Sequence, residues 1–309
     1  MRSVERCPIA DLPVSLCSRL DSHSFFGSTG FAGVWESIGG TAVCWMLIDG
    51  ESVIAALTGV EFRRRPLTRF QAMPDGCYAR LYATTRVQDE RVRFGQELMS
   101  AIGRAGYARV YVADYFHELG LEEEANARQY ETLVVDISTL GWQPPDAKLQ
   151  SEIRKAEREG VVISKLSIPE QFDGSMQLMA KTEQRHERRP KYTREFFLTL
   201  AELAVSDDRI KWLHIERDGS PVVSHIYFVE GTMALNWQIY FDKEFSHLKA
   251  NQYLMYTAAR SLAASGVTHL NLGATPPDAE SLRSYKEKWG GVVHTYPMVV
   301  RKSWLGKFV

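Results

Sequence analysis

The chain repeats one pattern of strands, and this repetition constrains its fold more than any other feature of the sequence. Near the start, residues 42–57 form two apolar runs separated by an Asp-Gly dipeptide that ends at Gly50. Such a dipeptide between apolar runs is the strongest short-range signal of a β-hairpin. Residues 210–228 repeat the pattern around Gly219, and the first run of each copy carries a tryptophan at a similar place. The sequence therefore predicts two related hairpins.

A helix and a strand follow each hairpin in the same order. The apolar residues of each predicted helix recur at helical spacing, and a glycine ends the helix, Gly106 in the first copy and Gly266 in the second. Strands at 108–112 and 267–272 come next. The hairpin glycines are about 170 positions apart and the helix-ending glycines about 160, as a duplication would give. Both motifs are common enough to coincide by chance, but we expect a duplicated α/β domain.

Length and charge limit the classes of protein that fit. With 309 residues, the chain is long enough for about two domains. A net charge of -1 gives no overall field that would attract nucleic acid, so we expect no DNA partner. No apolar run approaches the ~20 residues that cross a bilayer, and the first residues lack the apolar stretch of a signal peptide. We therefore expect a cytoplasmic protein without a membrane partner.

The motifs of several enzyme classes are missing from the sequence. It contains no GxGxxG, no P-loop, no HExxH and no GxSxG. The four cysteines form no CxxC pair and the eight histidines lack metal-ligand spacing, so we expect no metal site. One strategy that leaves so little trace is direct transfer of a group between two substrates held side by side.

A cluster of basic residues follows a predicted helix in the second copy. Arg185, His186, Arg188, Arg189 and Lys191 fall within seven positions, just around a proline. Arginine forks match phosphate oxygens, so the cluster is a candidate binding site for a phosphate-bearing substrate. It is also typical of a basic helix end that complements the helix dipole.

Polar residues alternate with apolar ones along the strand at 235–242. Asn236, Gln238 and Tyr240 would share one face of this strand, while its other face is apolar. One polar face on a buried strand is expected of a substrate channel, although a half-exposed antiparallel strand shows the same alternation. We take Asn236 and Gln238 as candidate substrate-binding residues and Tyr240 as a candidate catalytic residue.

The loop after this strand leads into the second of the two repeated helices. Backbone amides at the start of a helix bind anions without help from side chains. Ser246, His247, Lys249 and Asn251 lie in this loop or next to it and are candidate cofactor-binding residues. The alternative is a simple helix entry in which Ser246 or Asn251 is the cap.

Two further segments complete a resemblance to a known family. Residues 153–161 read Ile-Arg-Lys-Ala-Glu-Arg-Glu-Gly-Val, and 285–290 read Tyr-Lys-Glu-Lys-Trp-Gly after Asn-Leu-Gly at 271–273. The first resembles the helix that opens the second domain of the tandem-domain GNAT-like acyltransferases, the FemABX group and its acyl-CoA-using relatives. The second is similar to that family's hydrophobic-Lys-x-x-aromatic-Gly signature. The resemblance covers most of the chain.

This resemblance implies the fold and the domain arrangement. We expect an α/β protein (α+β mixed sheets) with two tandem GNAT-like domains, each a twisted mixed sheet flanked by helices. Each sheet would be splayed open between its central strands. The end of the chain would return to the first domain, which would consist of residues 1–140 plus 298–309. Residues 141–297 would form the second, catalytic domain.

The resemblance also implies the chemistry. We expect an N-acyltransferase that moves an acyl group from acyl-CoA to a small-molecule or peptidyl amine by direct attack. Lys286 matches the family lysine placed near the reacting carbonyl or a substrate phosphate, and Tyr285 is a candidate acid for the leaving group. The alternative is that Lys286 is an ordinary surface lysine in a charged segment that is exposed to solvent.

Two departures from the family pattern keep other functions open. The loop at 245–251 lacks the glycines of the superfamily's pyrophosphate loop, Q/R-x-x-G-x-G/A. The long helical hairpin with which some FemABX members engage transfer RNA is also missing, so we expect transfer RNA to be the less favoured partner. The alternatives are an aminoacyl-tRNA-dependent transferase that acts on a peptidoglycan precursor, and a degenerate pair of GNAT-like domains that only binds a ligand.

Overall fold

The computed structural model describes residues 2–303, apart from residues 125, 188, 218 and 277. The strands are β1 (Arg2–Pro8), β2 (Gly40–Asp49), β3 (Ser52–Arg64), β4 (Leu67–Ala72), β5 (Leu81–Ala83), β6 (Arg109–Ala113), β7 (Ala127–Asp136), β8 (Ile163–Lys165), β9 (Ile210–Arg217), β10 (Ser220–Glu230), β11 (Met233–Phe241), β12 (His269–Ala274) and β13 (Val292–Lys302). The α-helices are α1 (Val14–His23), α2 (Thr29–Val34), α3 (Gln88–Arg104), α4 (Ala147–Arg158), α5 (Phe172–Arg185), α6 (Arg194–Ser206), α7 (Ala250–Ala264) and α8 (Glu280–Glu287).

The chain divides into two compact units. Unit 1 comprises residues 2–131 together with 295–303, and unit 2 comprises 132–294. Residues 304–309, which the sequence prediction assigns to the first domain, lie outside the described residues. Of the helices in the described part of the chain, none combines the length and apolar character needed to span a bilayer.

Unit 1 is built on a sheet with the strand order β1-β2-β3-β4-β6-β13. Its neighbouring strands are antiparallel except β4 and β6, which are parallel, and the short β5 pairs with the first half of β3. Helix α3 is amphipathic and buries Phe94, Leu98 and Ile102 against the sheet residues Phe70 and Val112. Its apolar stripe has the helical period that the sequence shows, and this stripe fixes which face of the sheet α3 covers.

Unit 2 repeats this plan with the strand order β7-β12-β11-β10-β9-β8. Strands β11 and β12 are parallel, and the remaining neighbours are antiparallel. Helix α7 buries Leu254, Ala258 and Leu262 in the core of this unit, and α4 packs beside it. Asp146 caps α4, as the sequence predicts, because its Oδ1 accepts a hydrogen bond of 2.7 Å from the amide of Leu149.

The predicted repetition is confirmed, and so is the predicted fold class. In each unit a hairpin is followed by a strand, then a long helix and a further strand, and these two strands pair in parallel, β4 with β6 and β11 with β12. In unit 1 the short β5 lies between β4 and the helix. Gly50 and Gly219 have φ of 62° and 75°, the left-handed conformation that a tight hairpin turn needs. Asp218, the partner of Gly219 in the predicted turn, lies outside the described residues.

Candidate functional site

In unit 2 the two parallel strands separate soon after they begin to pair. Residues Met233–Leu235 of β11 pair with His269–Asn271 of β12, while β11 continues to Phe241. On the other edge of β11, the residues on either side of Trp237 pair with two successive residues of β10. Trp237 is therefore an extra residue in β11, which marks a β-bulge. The result is a gap beside the last six residues of β11.

The corresponding strands of unit 1 stay together. Pairing of β4 with β6 runs from Arg69 to Ala72, the end of β4. The amide of Ala79 then donates to the carbonyl of Ala113 at 2.9 Å, which continues the contact. The splay predicted for each domain is therefore found in unit 2 and not in the described residues of unit 1.

A cavity of about 440 Å³, which we call cavity A, lies where β11 ends and α7 begins. It brings together six of the residues singled out in the sequence: Arg185, His186, Ser246, Lys249, Asn251 and Tyr285. Phe241, Phe245 and Ile239 supply apolar wall. Cavity A therefore combines a helix start, two basic side chains and an apolar surface.

The start of α7 at cavity A has no side-chain cap. Lys249 is its N-cap residue, and no side chain accepts from the first amides of the helix. The alternative in which Ser246 or Asn251 caps the helix is therefore wrong. Lys249 has φ 56°, the left-handed conformation that a glycine adopts most easily. Its ammonium lies 3.1 Å from a carboxylate oxygen of Glu152, so this charge is already partly balanced.

Arg185 closes one side of cavity A. It is the last residue of α5, and its guanidinium donates to the carbonyl of Phe241 at 3.0 Å and stacks on the ring of Phe241 at 4.3 Å. Another guanidinium nitrogen lies 3.2 Å from Nε2 of His186. Arg185 is thus held at the end of β11 with its charge beside the cavity. Arg188 of the predicted cluster lies outside the described residues.

A chain of hydrogen-bonded polar groups leads from the buried core of unit 2 to cavity A. Nδ1 of His225 lies 2.8 Å from the hydroxyl of Tyr227, and Nε2 lies 2.8 Å from Oδ1 of Asn251. The amide nitrogen of Asn251 donates in turn to the hydroxyl of Tyr285 at 3.4 Å. An amide oxygen only accepts, so Nε2 of His225 carries the proton and Nδ1 accepts from Tyr227.

Burial fixes the charge state of this chain. It lowers the pKa of His225 to about 4, so the imidazole is neutral at pH 7. Burial also raises the pKa of Tyr285 to about 12, so its hydroxyl keeps its proton. His225 was missed by the sequence analysis, although one signal was available. It follows Ser224 inside the run 222–228 of a predicted central strand, whose other residues are apolar or aromatic.

Lys286 lies next to Tyr285 in α8 but contacts different groups. Its side chain is buried, with 5% exposed, which excludes the alternative that it is one charge of a solvated run. Its ammonium donates to the carbonyls of Gly273 and Ala274 at 2.7 and 3.0 Å and to the hydroxyl of Thr275 at 2.9 Å. Burial lowers the pKa of Lys286 to about 8. Lys286 therefore holds the end of β12, on one border of the gap.

A second cavity of about 570 Å³, cavity B, opens from the other face of β11. Gln238 and Tyr240 line it, whereas the alternate residue Ile239 lines cavity A. Arg189 lines cavity B as well, and so does Glu183, which the sequence analysis did not single out. The candidate residues therefore divide between two cavities on opposite faces of one strand.

Three candidates line neither cavity: Lys286, described above, and Asn236 and His247. Asn236 is buried, and its amide donates to the sulfur of Met255 at 3.5 Å. His247 is exposed, and its Nδ1 lies 3.2 Å from the carbonyl of Glu244. Among the described residues, no group of three or more His, Cys, Asp or Glu side chains is placed to hold a metal ion.

The sequence and the structure were then compared with known proteins. Residues 146–287 match the sequence profile of the acetyltransferase (GNAT) domain. No curated protein matches the chain by sequence. Among solved structures, the chain is similar to FemX, with a TM-score of 0.69 and 11% identity over 95% of this chain and 96% of FemX.

Two other solved structures share the fold. One is the C-terminal domain of a putative lysylphosphatidylglycerol synthetase from Agrobacterium fabrum, with a TM-score of 0.62 and 14% identity over 93% of this chain and 91% of that one. The other is a tandem GNAT protein from the clavulanic acid biosynthesis pathway, with a TM-score of 0.52 and 11% identity over 98% of both chains. At these identities the likeness is one of fold.

Proposed function

We propose that this chain, a GNAT-like acyltransferase of the tandem-domain, FemABX-related type, moves an acyl group from acyl-CoA to an amine. The nitrogen lone pair of a neutral amine attacks the thioester carbonyl, and the C–S bond breaks as the C–N bond forms. The amine nitrogen loses one proton to solvent, and the thiolate of coenzyme A takes up another. The acceptor is a small-molecule or peptidyl amine.

The start of α7 is the observation that carries this proposal. Its first amides have no side-chain cap, and the residues that carry them line cavity A. A helix start with uncapped amides attracts anions. The pyrophosphate of coenzyme A would lie there, with Arg185 beside it. Lys249 is the left-handed residue at this turn, so the turn forms here without a glycine.

The acyl end of the donor would lie in the gap between β11 and β12. Within the described residues, no strand pairs with β11 beyond Leu235 on that edge, and the carbonyl of Phe241 at its end accepts from Arg185. A ligand would therefore pair with the backbone of residues 236–240. The gap is found in unit 2 alone among the described residues, which is why we assign the reaction to this unit and a supporting role to unit 1.

Tyr285 is the group that we assign to the leaving thiolate. Its raised pKa keeps it protonated, and its hydroxyl reaches cavity A. The chain through Asn251 and His225 fixes the direction of that hydroxyl, because Asn251 donates to its oxygen and leaves the Tyr285 proton to point elsewhere. Tyr285 therefore serves as the proton donor, and solvent returns the proton after the product leaves.

A second candidate differs in the donor. One structure of similar fold is named as a putative lysylphosphatidylglycerol synthetase, which favours an aminoacyl group as the group transferred. In that case the donor would be an aminoacyl ester on transfer RNA, and the phosphate at the start of α7 would belong to the nucleic acid.

Calorimetry with acetyl-CoA, longer acyl-CoAs and free coenzyme A tests the proposal. Ser246→Asp places a negative charge in cavity A, just before the start of α7. Ser246→Asn is a neutral control of nearly the same shape. We expect Ser246→Asp to weaken acyl-CoA binding about tenfold by charge repulsion, and Ser246→Asn to leave it unchanged. Absence of binding for every coenzyme A species, with turnover of an aminoacylated transfer RNA, would establish the second candidate instead.

A further inference from the structure

Helix α5 turns one face toward cavity B, and this face ends in a carboxylate. Met176, Met179, Ala180 and Glu183 recur at helical spacing, so they share one side of the helix, and all four line the cavity. Glu183 stands in the last turn of α5. A carboxylate is disfavoured there, because the C-terminal end of a helix dipole is negative. A cation beside Glu183 would be attracted by the carboxylate and by the helix end together.

No cation among the described residues is in contact with this carboxylate. Glu183 is half-buried and forms no hydrogen bond or ion pair in that part of the chain. Arg185, at the end of the same helix, is held at the end of β11 beside cavity A. Arg189 and Lys191 line cavity B, but neither is paired with Glu183. Cavity B thus carries charges of both signs that do not touch each other.

Arg189 supplies the positive charge in the loop that follows α5. It is exposed and forms no ion pair within the residues that the structure describes. A guanidinium fork matches a carboxylate through two parallel hydrogen bonds. The remaining wall of the cavity includes the buried side chains of Met179, Phe197 and Tyr240, which offer thioether and aromatic surface. Its volume of about 570 Å³ is typical of a small-molecule site.

We propose that cavity B binds an α-amino acid with an apolar side chain. Its ammonium lies against Glu183, its carboxylate against Arg189, and its side chain against the thioether and aromatic wall. The hydroxyl of Tyr240 donates to Oε1 of Gln238 at 3.3 Å, so the Tyr240 oxygen can accept from the ammonium. The role of this amino acid as the acceptor of the acyl group rests on the proposed function, whereas its binding does not.

Calorimetry with three probes of similar shape tests both charged contacts in the full chain. L-phenylalanine carries both charges, phenethylamine lacks the carboxylate, and phenylpropionate lacks the ammonium. We expect L-phenylalanine to bind at least about tenfold more tightly than either analogue, because each charge-assisted contact adds affinity. Absence of L-phenylalanine binding, or equal binding of the three probes, overturns the proposal.

Two variants assign each charged contact to its residue. Glu183→Gln should make the affinities of L-phenylalanine and phenylpropionate alike, because the ammonium then gains nothing. Arg189→Gln should make those of L-phenylalanine and phenethylamine alike, because the carboxylate then gains nothing. Glu187→Gln and Arg154→Gln are the matched controls, since both residues are exposed and line neither cavity. If the controls change the order of the probes as much as the test variants do, the site is elsewhere.

Turnover with acetyl-CoA separates this inference from the proposed function. Formation of N-acetylphenylalanine, lost in Glu183→Gln, supports both. Binding of L-phenylalanine without its acetylation keeps the site and refutes its role as the acceptor site. Acetylation of other amines, with no binding of L-phenylalanine, refutes the site and leaves the proposed function standing.

Discussion

Replacement of Lys286 by methionine gives the sharpest test of how the border of the gap is held. The ammonium of Lys286 donates to three oxygens of residues 273–275, and all three would lose their donor. A buried acceptor without a donor costs about 1–3 kcal/mol. Removal of the buried charge offsets part of this cost. The pKa of Lys286 falls from 10.5 to about 8, which corresponds to about 3 kcal/mol. Three acceptors at about 2 kcal/mol each, less the offset of about 3 kcal/mol, give an expected net loss of about 3 kcal/mol at pH 7.

The pH dependence of stability then separates the two contributions. Because the folded state has the lower pKa, it releases the lysine proton first as the pH rises. Between pH 8 and 10.5 the unfolded state binds more protons, so this residue makes wild-type stability rise across that window. The difference in unfolding free energy between wild type and Lys286→Met should therefore grow by about 2–3 kcal/mol from pH 7.5 to 10.5. Other titrating groups cancel in this difference.

Urea denaturation followed by tryptophan fluorescence at several pH values measures both quantities. Lys288→Met is the matched control, because Lys288 lies two positions further along and is exposed. Its difference from wild type should stay small and flat with pH. If Lys286→Met and Lys288→Met behave alike, then Lys286 does not hold the end of β12 through these hydrogen bonds.

Three further outcomes follow from other contacts. Tyr285→Phe should lower turnover about 100-fold and leave acyl-CoA affinity unchanged in calorimetry, because the proton donor is lost and the ring remains. His225→Phe should lower the free energy of unfolding, measured by urea denaturation, by about 2–4 kcal/mol, because Tyr227 and Asn251 lose their hydrogen-bond partner. His225→Gln should recover part of that loss. Gly95→Ala should destabilise by about 3 kcal/mol, because a Cβ would lie 2.6 Å from a backbone oxygen, whereas Gly33→Ala meets no atom within 4 Å and should be neutral or stabilising.

Features that depend on neighbouring residues in the chain could be predicted from the sequence. The hairpins at Gly50 and Gly219 and the cap at Asp146 are set by contacts within a few positions. The helical stripes and their glycine stops also follow from local spacing. Because the two copies show the same local signals in the same order, the duplication and the fold class could be derived as well.

Features that depend on distant contacts could not be predicted in this way. Lys286 stands in a run of charges that is typical of a surface, and its burial depends on contacts with the end of β12, more than ten positions earlier. Gln238 and Tyr240 were correctly placed on one face of a strand, but the cavity there is completed by α5. One partner of His225 is Tyr227, two positions along the same strand, but the other, Asn251, comes from α7. The roles assigned to these residues and the domain limits stay predictions, as does a cytoplasmic location.

The interrupted layout of unit 1 has a consequence for biosynthesis. Its sheet needs β13, whose residues leave the ribosome only after the whole of unit 2 has been made. At about 5–20 residues per second, the β13-facing edge of β6 waits roughly ten to forty seconds for this strand. An unpaired edge is a template for wrong pairing with other chains. Unit 2 is continuous from 132 to 294, so it can fold during that interval, and unit 1 is then the part that depends on protection while the chain is completed.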